Sequence, residues 1–557
     1  MTQKYEFDKE EEEVFQKIKN DEEEDISKRL AHALGLRYIE VGFRRVDPDA
    51  LRIIPEAIAK KLKIIGIEKR MNSLVVGVIN PTSAEINQYI QELTNQGFIV
   101  TKGIISESSF HKALEEYRFI KEKKVRYLEG LDIQEAILTK VSEEIKGIDD
   151  LKKIIAQIAK ENPFVILEYL LSGASTLGAS DIHMEPSEHE ILVKYRIDGV
   201  LVVVAQFPKN IYVLIKNRIK LAAKLLVNVE NKPQDGKFSI LLKDLTIDIR
   251  LSTIPSAYDE TIVMRLLDPR SIVVDLKDMG FRTDDYEIMK RTIELPNGLI
   301  LNTGPTGSGK TTTLYAILNK IKRPEIKIIT VEDPIEYHMD GISQTQVDAR
   351  HGYTFASGLR SILRQDPDII LIGEIRDNET AEIAINSALT GHLVLSTLHT
   401  NDSLGAIPRL LNLKVEKTLI PPSLRLIIAQ RLVRRICTSC GKLVSPPEDL
   451  KKKILDIIAN IPQHAKANID VSNIQIYESG GGCEACHKSG YKGRVGVFEL
   501  LRVTPAIEQV VYETPSEIKL FEVARKEGFV TLKEDGVLKL LQKLTTVEEI
   551  GRVLGVL

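Results

Sequence analysis

Residues 304–311 read Gly-Pro-Thr-Gly-Ser-Gly-Lys-Thr, and this stretch decides the fold of the central part of the chain. It matches the pattern G-x-x-x-x-G-K-[ST] of phosphate-binding loops. The apolar run Leu299–Thr303 before it is typical of a buried strand, and apolar residues at i, i+3, i+4 and i+7 from Leu314 predict a helix after it. A strand, a glycine loop and a helix in this order place phosphates at a helix N-terminus, where unpaired N–H groups favour negative charge.

The residue types in the loop predict a site for ATP and Mg²⁺. We expect Lys310 to neutralise β- and γ-phosphate oxygens, and the hydroxyl group of Thr311 to ligate Mg²⁺. The predicted nucleotide-binding residues are Gly304, Pro305, Thr306, Gly307, Ser308, Gly309, Lys310, Thr311 and Thr312.

Two acidic residues follow neighbouring strand patterns and are candidates for the hydrolytic chemistry. Ile328–Val331 is a predicted strand that ends at Glu332, and Ile369–Ile372 is another that is followed by Glu374. Ligands of open α/β sheets bind beyond the carboxyl ends of the strands, so we expect both carboxylates to face the phosphates.

Two histidines flank a further predicted strand, Leu393–Ser396. His392 begins this strand and His399 follows its end. We expect both to sense the phosphates, while a structural role is the alternative because lone histidines are often satisfied structural residues.

Four cysteines form two pairs, Cys437-x-x-Cys440 and Cys483-x-x-Cys486, which are the only cysteines of the chain. Four thiolates satisfy a tetrahedral zinc ion and leave no open position, so we expect a structural Zn²⁺ site. A redox pair or free thiols are the alternatives. The separation of the pairs predicts an inserted subdomain over residues 443–476, and the basic residues Arg431, Arg434 and Arg435 are interpreted as a solvated helix end.

Composition limits the class of protein and its location. Lys and Arg number 76 against 79 Asp and Glu, so the net charge of −3 over 557 residues argues against a nucleic-acid-binding protein. No apolar run approaches the roughly 18 residues that span a bilayer. The acidic first 25 residues do not resemble a signal peptide, and we therefore expect a cytoplasmic protein.

Taken in order, the motifs resemble those of the secretion ATPases of type II secretion and type IV pilus assembly. The resemblance extends from about residue 162 to the C-terminus, and more loosely over residues 30–117. It rests on DIHME (181–185), RIDG (196–199), PQDGK (233–237), the phosphate loop, ITVEDPIE (329–336), LRSILRQDPD (359–368), GEIR (373–376), TGHLVLSTLHTN (390–401), GRVGVFE (493–499) and LKEDGVL (532–538). The chain departs from the family at residues 258–261, where Tyr-Asp-Glu-Thr replaces the usual Tyr-Gly-Glu-Lys.

The resemblance implies roles for individual residues. Glu332 would activate water, and Arg250 and Arg265 would reach the γ-phosphate from the preceding domain. The implied catalytic residues are Lys310, Glu332, Glu374, His392, His399, Arg250, Arg265, Arg360 and Arg364.

The resemblance also implies a multidomain α/β fold in which a RecA-like phosphate-loop core with a parallel sheet follows α/β N-terminal domains and precedes a zinc-stapled helical region. The expected segments are an acidic leader (1–25), an export-type module (26–125), a linker (126–160), an arginine-donating α/β domain (161–272), the ATPase core (273–435), a four-cysteine element (436–500) and a helical region (501–557).

Such motors form homo-hexameric rings, act with an inner-membrane platform protein, and associate peripherally with the membrane from the cytoplasm. By resemblance, ATP hydrolysis would power pilin polymerisation or type II secretion. A pilus-retraction or type IV secretion motor, or a nucleotide-binding scaffold without turnover, are the alternatives.

Overall fold

A computed structural model describes residues 22–41, 46–70, 73–95, 98–126, 130–133, 135–162, 165–242, 245–271, 274–466, 469 and 473–555. The chain divides into two compact units, Met1–Glu129 and Gly130–Leu557. Most of the predicted acidic leader lies outside the described residues. No helix among the residues described combines the length and the apolarity that crossing a membrane requires.

The first unit is a four-stranded sheet covered by helices. Its strand order is β1-β4-β3-β2, with β2 antiparallel to β3 and the other pairs parallel. Ser83 precedes helix α4, and its hydroxyl group accepts the N–H of Ile86 at 3.5 Å. The elements are α1 (22–34), β1 (Arg37–Tyr38), α2 (Pro48–Ile53), α3 (Glu56–Leu62), β2 (Ile64–Arg70), β3 (Ser73–Val78), α4 (Ala84–Asn95), β4 (Ile99–Ile104) and α5 (Glu107–Arg126).

The second unit begins with a seven-stranded sheet of order β5-β9-β10-β11-β6-β7-β8. A hairpin at Asp198-Gly199 joins β7 to β8. The elements are β5 (Gly130–Asp132), α6 (Glu135–Glu144), α7 (Ile148–Glu161), α8 (Ile166–Thr176), β6 (Ala179–Pro186), β7 (Glu190–Ile197), β8 (Val200–Pro208), α9 (Lys209–Ala222), β9 (Gln234–Leu242), β10 (Leu245–Pro255) and β11 (Glu260–Leu267).

The segment predicted to be a linker, 126–160, is instead largely part of this domain. Helices α6 and α7 occupy most of it, and their buried residues Ile137, Val141, Leu151 and Ile155 belong to the same apolar core as the sheet. Burial of these side chains stabilises the helices, because apolar area removed from water contributes roughly 25 cal/mol per Å².

The middle of the second unit carries the phosphate loop. Its elements are α10 (Thr283–Ile293), β12 (Gly298–Thr303), α11 (Lys310–Ile321), β13 (Ile328–Glu332), β14 (Ser343–Gln346), α12 (Phe355–Ile362), β15 (Ile369–Ile372), α13 (Asn378–Leu389), β16 (Leu393–Leu398), α14 (Ala406–Asn412), α15 (Ile420–Ser423) and β17 (Leu424–Ile436). The strand predictions at β12, β13, β15 and β16 therefore hold to within two residues at either end.

The C-terminal elements return to the same sheet before ending in helices. They are β18 (Lys442–Val444), α16 (Glu448–Asn460), β19 (Ile476–Glu478), β20 (Tyr491–Arg502), α17 (Pro505–Glu513), α18 (Glu517–Lys526), α19 (Leu532–Leu541) and α20 (Val547–Leu554). Strand β20 pairs antiparallel with β17, from Ile436 opposite Tyr491 to Leu426 opposite Arg502. The central sheet thus extends beyond the cysteine-containing segment.

The central sheet has the order β14-β13-β15-β16-β12-β17-β20, and all its neighbours except β20 are parallel. Alternate residues of β12 enter two apolar cores, with Leu299 and Leu301 on one face and Ile300 on the other. Helices cover both faces, as the alternation of strand and helix patterns predicts. The carboxyl ends of β13, β15, β16 and β12 therefore lie along one edge.

Candidate nucleotide and metal sites

The phosphate loop needs its glycines because of both backbone conformation and space. Gly304, Gly307 and Gly309 have φ angles of 146°, 80° and 88°, in the region that disfavours other residues. A Cβ atom on Gly304 would lie 2.6 Å from the carbonyl oxygen of Gln430, and one on Gly309 would lie 2.9 Å from Nε2 of the same residue. The loop is therefore held against β17.

Lys310 begins helix α11 directly after the loop. Its Nζ donates hydrogen bonds to the carbonyl oxygens of Gly304 at 2.7 Å and Pro305 at 3.1 Å. Burial lowers the pKa of Lys310, while the charge of Glu374 opposes that shift. The ammonium group thus lies within the loop, at a position from which it can neutralise phosphate oxygens.

Glu374 follows β15, and its side chain forms a polar cluster with His399 and Arg376. Its carboxylate lies 3.1 Å from Nε2 of His399 and 2.5 Å from the guanidinium of Arg376. His399 follows β16, so the parallel pairing of β15 and β16 brings these two residues together. This arrangement places a carboxylate and an imidazole at the loop edge, where they can orient or deprotonate a water molecule.

Glu332 ends β13 at the same edge, but its carboxylate is buried, with 3% of the residue exposed. One carboxylate oxygen accepts the hydroxyl group of Tyr315, and the other accepts Thr330 Oγ1 at 2.6 Å and Gln344 Nε2 at 3.2 Å. Both oxygens are therefore engaged with protein donors in this conformation. Glu374 is the more accessible of the two, with a side chain 12% exposed.

We predict that Glu332→Gln lowers the free energy of unfolding by about 1–3 kcal/mol, because an amide cannot accept from all three donors and a buried group loses its partner. Chemical denaturation of the full chain measures this change. If the variant instead keeps its stability and loses turnover, Glu332 acts on water rather than in the buried network.

The two predicted histidines lie at opposite edges of the sheet, which corrects one of the expectations. Leu393 pairs with Gly298 at the amino end of the parallel strands, and Leu398 pairs with Thr303 next to the loop. His392 is thus about 20 Å from the loop at the usual rise per residue. Its Nδ1 lies 3.0 Å from the carbonyl oxygen of Ser387, as expected of a structural residue.

We therefore predict different effects of replacing the two histidines. His399→Asn should lower the rate of ATP hydrolysis at saturation by about 10- to 100-fold, since it removes the partner of the Glu374 carboxylate. His392→Asn should change that rate less than about 2-fold. Steady-state phosphate release measures both, and a larger effect of His392→Asn would contradict the assignment.

Five strands place one row of charged side chains on a single face of the first sheet of this unit. Lys237, Arg250, Arg265, Asp181 and Arg196 lie directly opposite one another on β9, β10, β11, β6 and β7. Directly opposed residues share a face, and like charges there repel. Asp181 relieves part of that repulsion through Arg265 Nε at 2.9 Å and Arg196 Nε at 3.6 Å.

Arg250 connects this row to the acidic segment after β13. Its guanidinium donates to the Glu336 carboxylate at 3.1 Å and also to the Ile335 carbonyl oxygen. Burial alone would lower the pKa of Arg265, but its hydrogen bond to Asp181 and the charges of Asp181 and Glu336 raise it. The two predicted arginines of the preceding domain therefore face the edge that follows β13.

The structure does not bring Arg360 and Arg364 to the loop of their own chain. Arg360 on α12 pairs with Glu379, and the Arg364 guanidinium donates to the Arg360 carbonyl oxygen at 3.0 Å and to Ser361 Oγ at 3.2 Å. Both contacts lie on exposed surface, where an ion pair contributes little to stability.

Residues of β17 complete the loop region, and sequence patterns missed them. Gln430 is buried, and its Oε1 accepts Thr313 Oγ1 at 2.7 Å and Asn302 Nδ2 at 3.1 Å. Arg431 follows it in the strand, so the interpretation of residues 431–435 as a solvated helix end is wrong. The only available signal was the apolar run before them, Leu426–Ala429.

The four cysteines converge as the sequence predicts. The Sγ atoms of Cys437 and Cys483, of Cys440 and Cys486, and of Cys483 and Cys486 are each 3.7 Å apart. A tetrahedral zinc ion with bonds of about 2.3 Å requires sulfur atoms about 3.8 Å apart, so the donor set fits this metal.

Hydrogen bonds and glycines shape the second cysteine pair. The backbone N–H groups of Cys483 and Gly490 donate to the sulfur of Cys486 at 3.1 and 3.3 Å, which favours its thiolate form. A Cβ atom on Gly480 would lie 1.5 Å from the carbonyl oxygen of Cys440, so only glycine fits there.

The second cysteine pair also contacts the preceding domain. His487 Nδ1 donates to the Lys146 carbonyl oxygen at 2.6 Å, and Lys488 Nζ pairs with Asp149 at 2.9 Å. His487 and Lys488 have φ angles of 49° and 61°, a conformation that is costly outside glycine and that directs both side chains to α7.

The strand–loop–helix unit, with carboxylates at neighbouring strand ends, defines a phosphate-loop nucleotide hydrolase. Comparison with known proteins agrees. The model of the family described as type II/IV secretion system protein matches residues 159–552, and that of the MshEN domain matches residues 34–123. The chain belongs to the type II/IV secretion system protein family and is a phosphate-loop ATPase, which confirms the class predicted from the motifs.

Individual relatives are similar over different parts of the chain. The type IV pilus assembly ATPase PilB of Myxococcus xanthus is 37% identical over 95% of this chain and 91% of its own length. PilB of Pseudomonas aeruginosa is 36% identical over 94% of this chain and 89% of its own. The type II secretion system protein E of the same organism is 40% identical over 74% of this chain and 82% of its own.

Proposed function

We propose that this protein is the ATP-hydrolysing motor that powers type IV pilus assembly. The observation that supports this proposal is the length over which the chain aligns with the pilus assembly ATPases. The pilus assembly ATPases align over 94–95% of the chain, so their similarity includes the N-terminal unit, whereas protein E of Pseudomonas aeruginosa aligns over 74%. The longer alignment with the pilus assembly ATPases is the reason that we prefer pilus assembly.

In the proposed reaction, the residues of the loop edge divide the work. Lys310 binds the β- and γ-phosphates of ATP, and Thr311 would hold Mg²⁺, which supplies charge neutralisation when bound. Glu374 orients or deprotonates the attacking water, and His399 fixes its carboxylate. Arg250 and Arg265 stabilise charge on the γ-phosphate oxygens from the preceding domain.

The proposed assembly is a homo-hexamer that works at the cytoplasmic face of the inner membrane, bound there to a platform protein. Arg360 and Arg364 support this arrangement, because their contacts in this chain are with Glu379, the Arg360 carbonyl oxygen and Ser361 on an exposed surface that a neighbouring copy could approach. A structural zinc ion would be held by Cys437, Cys440, Cys483 and Cys486 and would fix the position of the segment between β17 and β20.

Type II secretion is the second candidate function. The observation that favours it is the higher sequence identity to protein E, 40% against 36–37% for the pilus ATPases. It would use the same hydrolytic residues, so the two candidates differ in the partner and not in the chemistry.

A replacement of the chromosomal gene tests the proposal. Cells that carry Lys310→Ala should lose surface pili, seen by electron microscopy, while the amount of exported enzyme in the medium remains unchanged. A wild-type copy supplied in trans should restore the pili. Normal piliation with defective export would instead assign the protein to type II secretion.

A further inference from the structure

Arg431 lies beside the phosphate loop and has no role in the chemistry described so far. On β17, its guanidinium donates to the carbonyl oxygen of Gln430 at 3.0 Å and to that of Asn401 at 2.6 Å. A Cβ atom on Gly304 would lie 3.1 Å from its NH1. The guanidinium therefore borders the first glycine of the loop.

The hydrogen-bond partners of Arg431 are neutral. Both are backbone carbonyls, and within the described ranges no carboxylate forms an ion pair with it. The nearby Glu499 carboxylate already accepts two other hydrogen bonds. One comes from Ser403 Oγ at 2.6 Å and the other from the N–H of Leu532 at 3.0 Å. Burial lowers the pKa of Arg431, and the charges of Glu499 and Asp402 offset only part of that shift.

A second cation shares this environment. The pKa of Lys310 is lowered first by burial and further by the charge of Arg431, against the attraction of Glu374. The charge of Arg431 therefore disfavours the protonated form of Lys310. An anion bound between them removes both the desolvation cost and the repulsion, so the site favours a ligand with more than one negative charge.

We propose that Arg431 is a nucleotide-binding residue that contacts the phosphate chain of ATP together with Lys310. The proposal rests on the proposed function, in that it takes the loop to bind ATP. The planar fork of arginine suits phosphate oxygens, and its two carbonyl contacts fix its direction before the ligand arrives. Lys310 and Arg431 both lie next to Gly304, the first glycine of the loop.

Calorimetric titration of the full-length protein with ADP and with a non-hydrolysable ATP analogue tests the proposal. Arg431→Gln should raise both dissociation constants by about 10-fold, because it removes one charge-assisted hydrogen bond to the nucleotide. The melting temperature without nucleotide should not fall, because the repulsion with Lys310 is removed.

Two matched variants separate binding from structural support. Arg435→Gln removes a cation from the exposed part of the same strand and should leave the dissociation constants unchanged. Arg431→Lys keeps the charge but loses the fork, so its affinity should lie between those of the wild type and Arg431→Gln. If Arg431→Gln does not fold, Arg431→Lys decides, since a structural role predicts lower melting temperature with unchanged affinity.

The outcomes that overturn the proposal are distinct. An unchanged dissociation constant in a folded Arg431→Gln would show that Arg431 has a structural role, in which it links β17 to the segment after β16. The proposed function would then remain intact. Wild-type protein that binds nucleotide no more tightly than Lys310→Ala overturns the nucleotide site itself and, with it, the role of Arg431.

Discussion

Glu374→Gln should bind ATP with an affinity within about 3-fold of the wild type and hydrolyse it about 10²- to 10⁴-fold more slowly. The amide has the size of the carboxylate but cannot accept a proton from water, and general-base contributions are typically of this magnitude. It also weakens the contacts with His399 and Arg376 that hold the group at the strand edge. Phosphate release over a range of protein concentrations measures the rate.

Glu382→Gln is the matched control for this variant. Glu382 lies on α13, the helix that follows the Glu374 segment, and is exposed. Its carboxylate accepts a hydrogen bond from Asn378 Nδ2 at 3.2 Å. Its replacement should not alter turnover. A Glu374→Gln protein that keeps more than about a third of the wild-type rate would exclude Glu374 as the base and return attention to Glu332.

Loss of metal should have the second large effect. The double variant Cys440→Ser with Cys486→Ser should bind less than about 0.1 zinc per chain, because each cysteine pair then supplies one thiolate. Structural zinc sites contribute about 10–16 kcal/mol of apparent binding free energy in small domains, so we expect the segment between β17 and β20 to lose its fixed structure. Elemental analysis and hydrogen exchange measure the two effects.

Hydrogen exchange gives this prediction a second test that does not depend on activity. Contacts from His487 and Lys488 hold the start of α7, so exchange there should accelerate in the metal-free variant. His487→Ala is the control, since it removes one of those contacts and should retain one zinc per chain. A double variant that keeps its zinc would show that the cysteines are not the ligands.

Local patterns predicted much of the central sheet. The apolar runs at β12, β13, β15 and β16 are buried parallel strands. The phosphate loop follows β12, and Glu374 and His399 follow β15 and β16 at the same edge of the sheet. The cysteine spacing likewise predicted the convergence of the four thiols, because two cysteines separated by two residues can reach one ion almost regardless of their surroundings.

The failures have physical reasons too. His392 precedes its strand, so parallel pairing alone places it at the edge opposite the loop, although its position beside a predicted strand suggested a phosphate-sensing role. Arg431 could not be placed, since its neighbourhood depends on the pairing of β17 with β12, more than 100 residues earlier in the chain. Helices α6 and α7 were assigned to a linker because their amphipathic faces reveal nothing of the sheet they cover.

The pairing of Ile436 with Tyr491 has an architectural consequence. Strands β17 and β20 are adjacent and antiparallel, so everything between them, residues 437–490, is topologically one hairpin connection. Such a connection can be exchanged as a cassette without rethreading the sheet. Helix α16 of this connection packs Ile454 and Ile458 against Val537 and Leu540 of α19. A shorter connection without α16 would therefore need other residues to cover the apolar surface of α19.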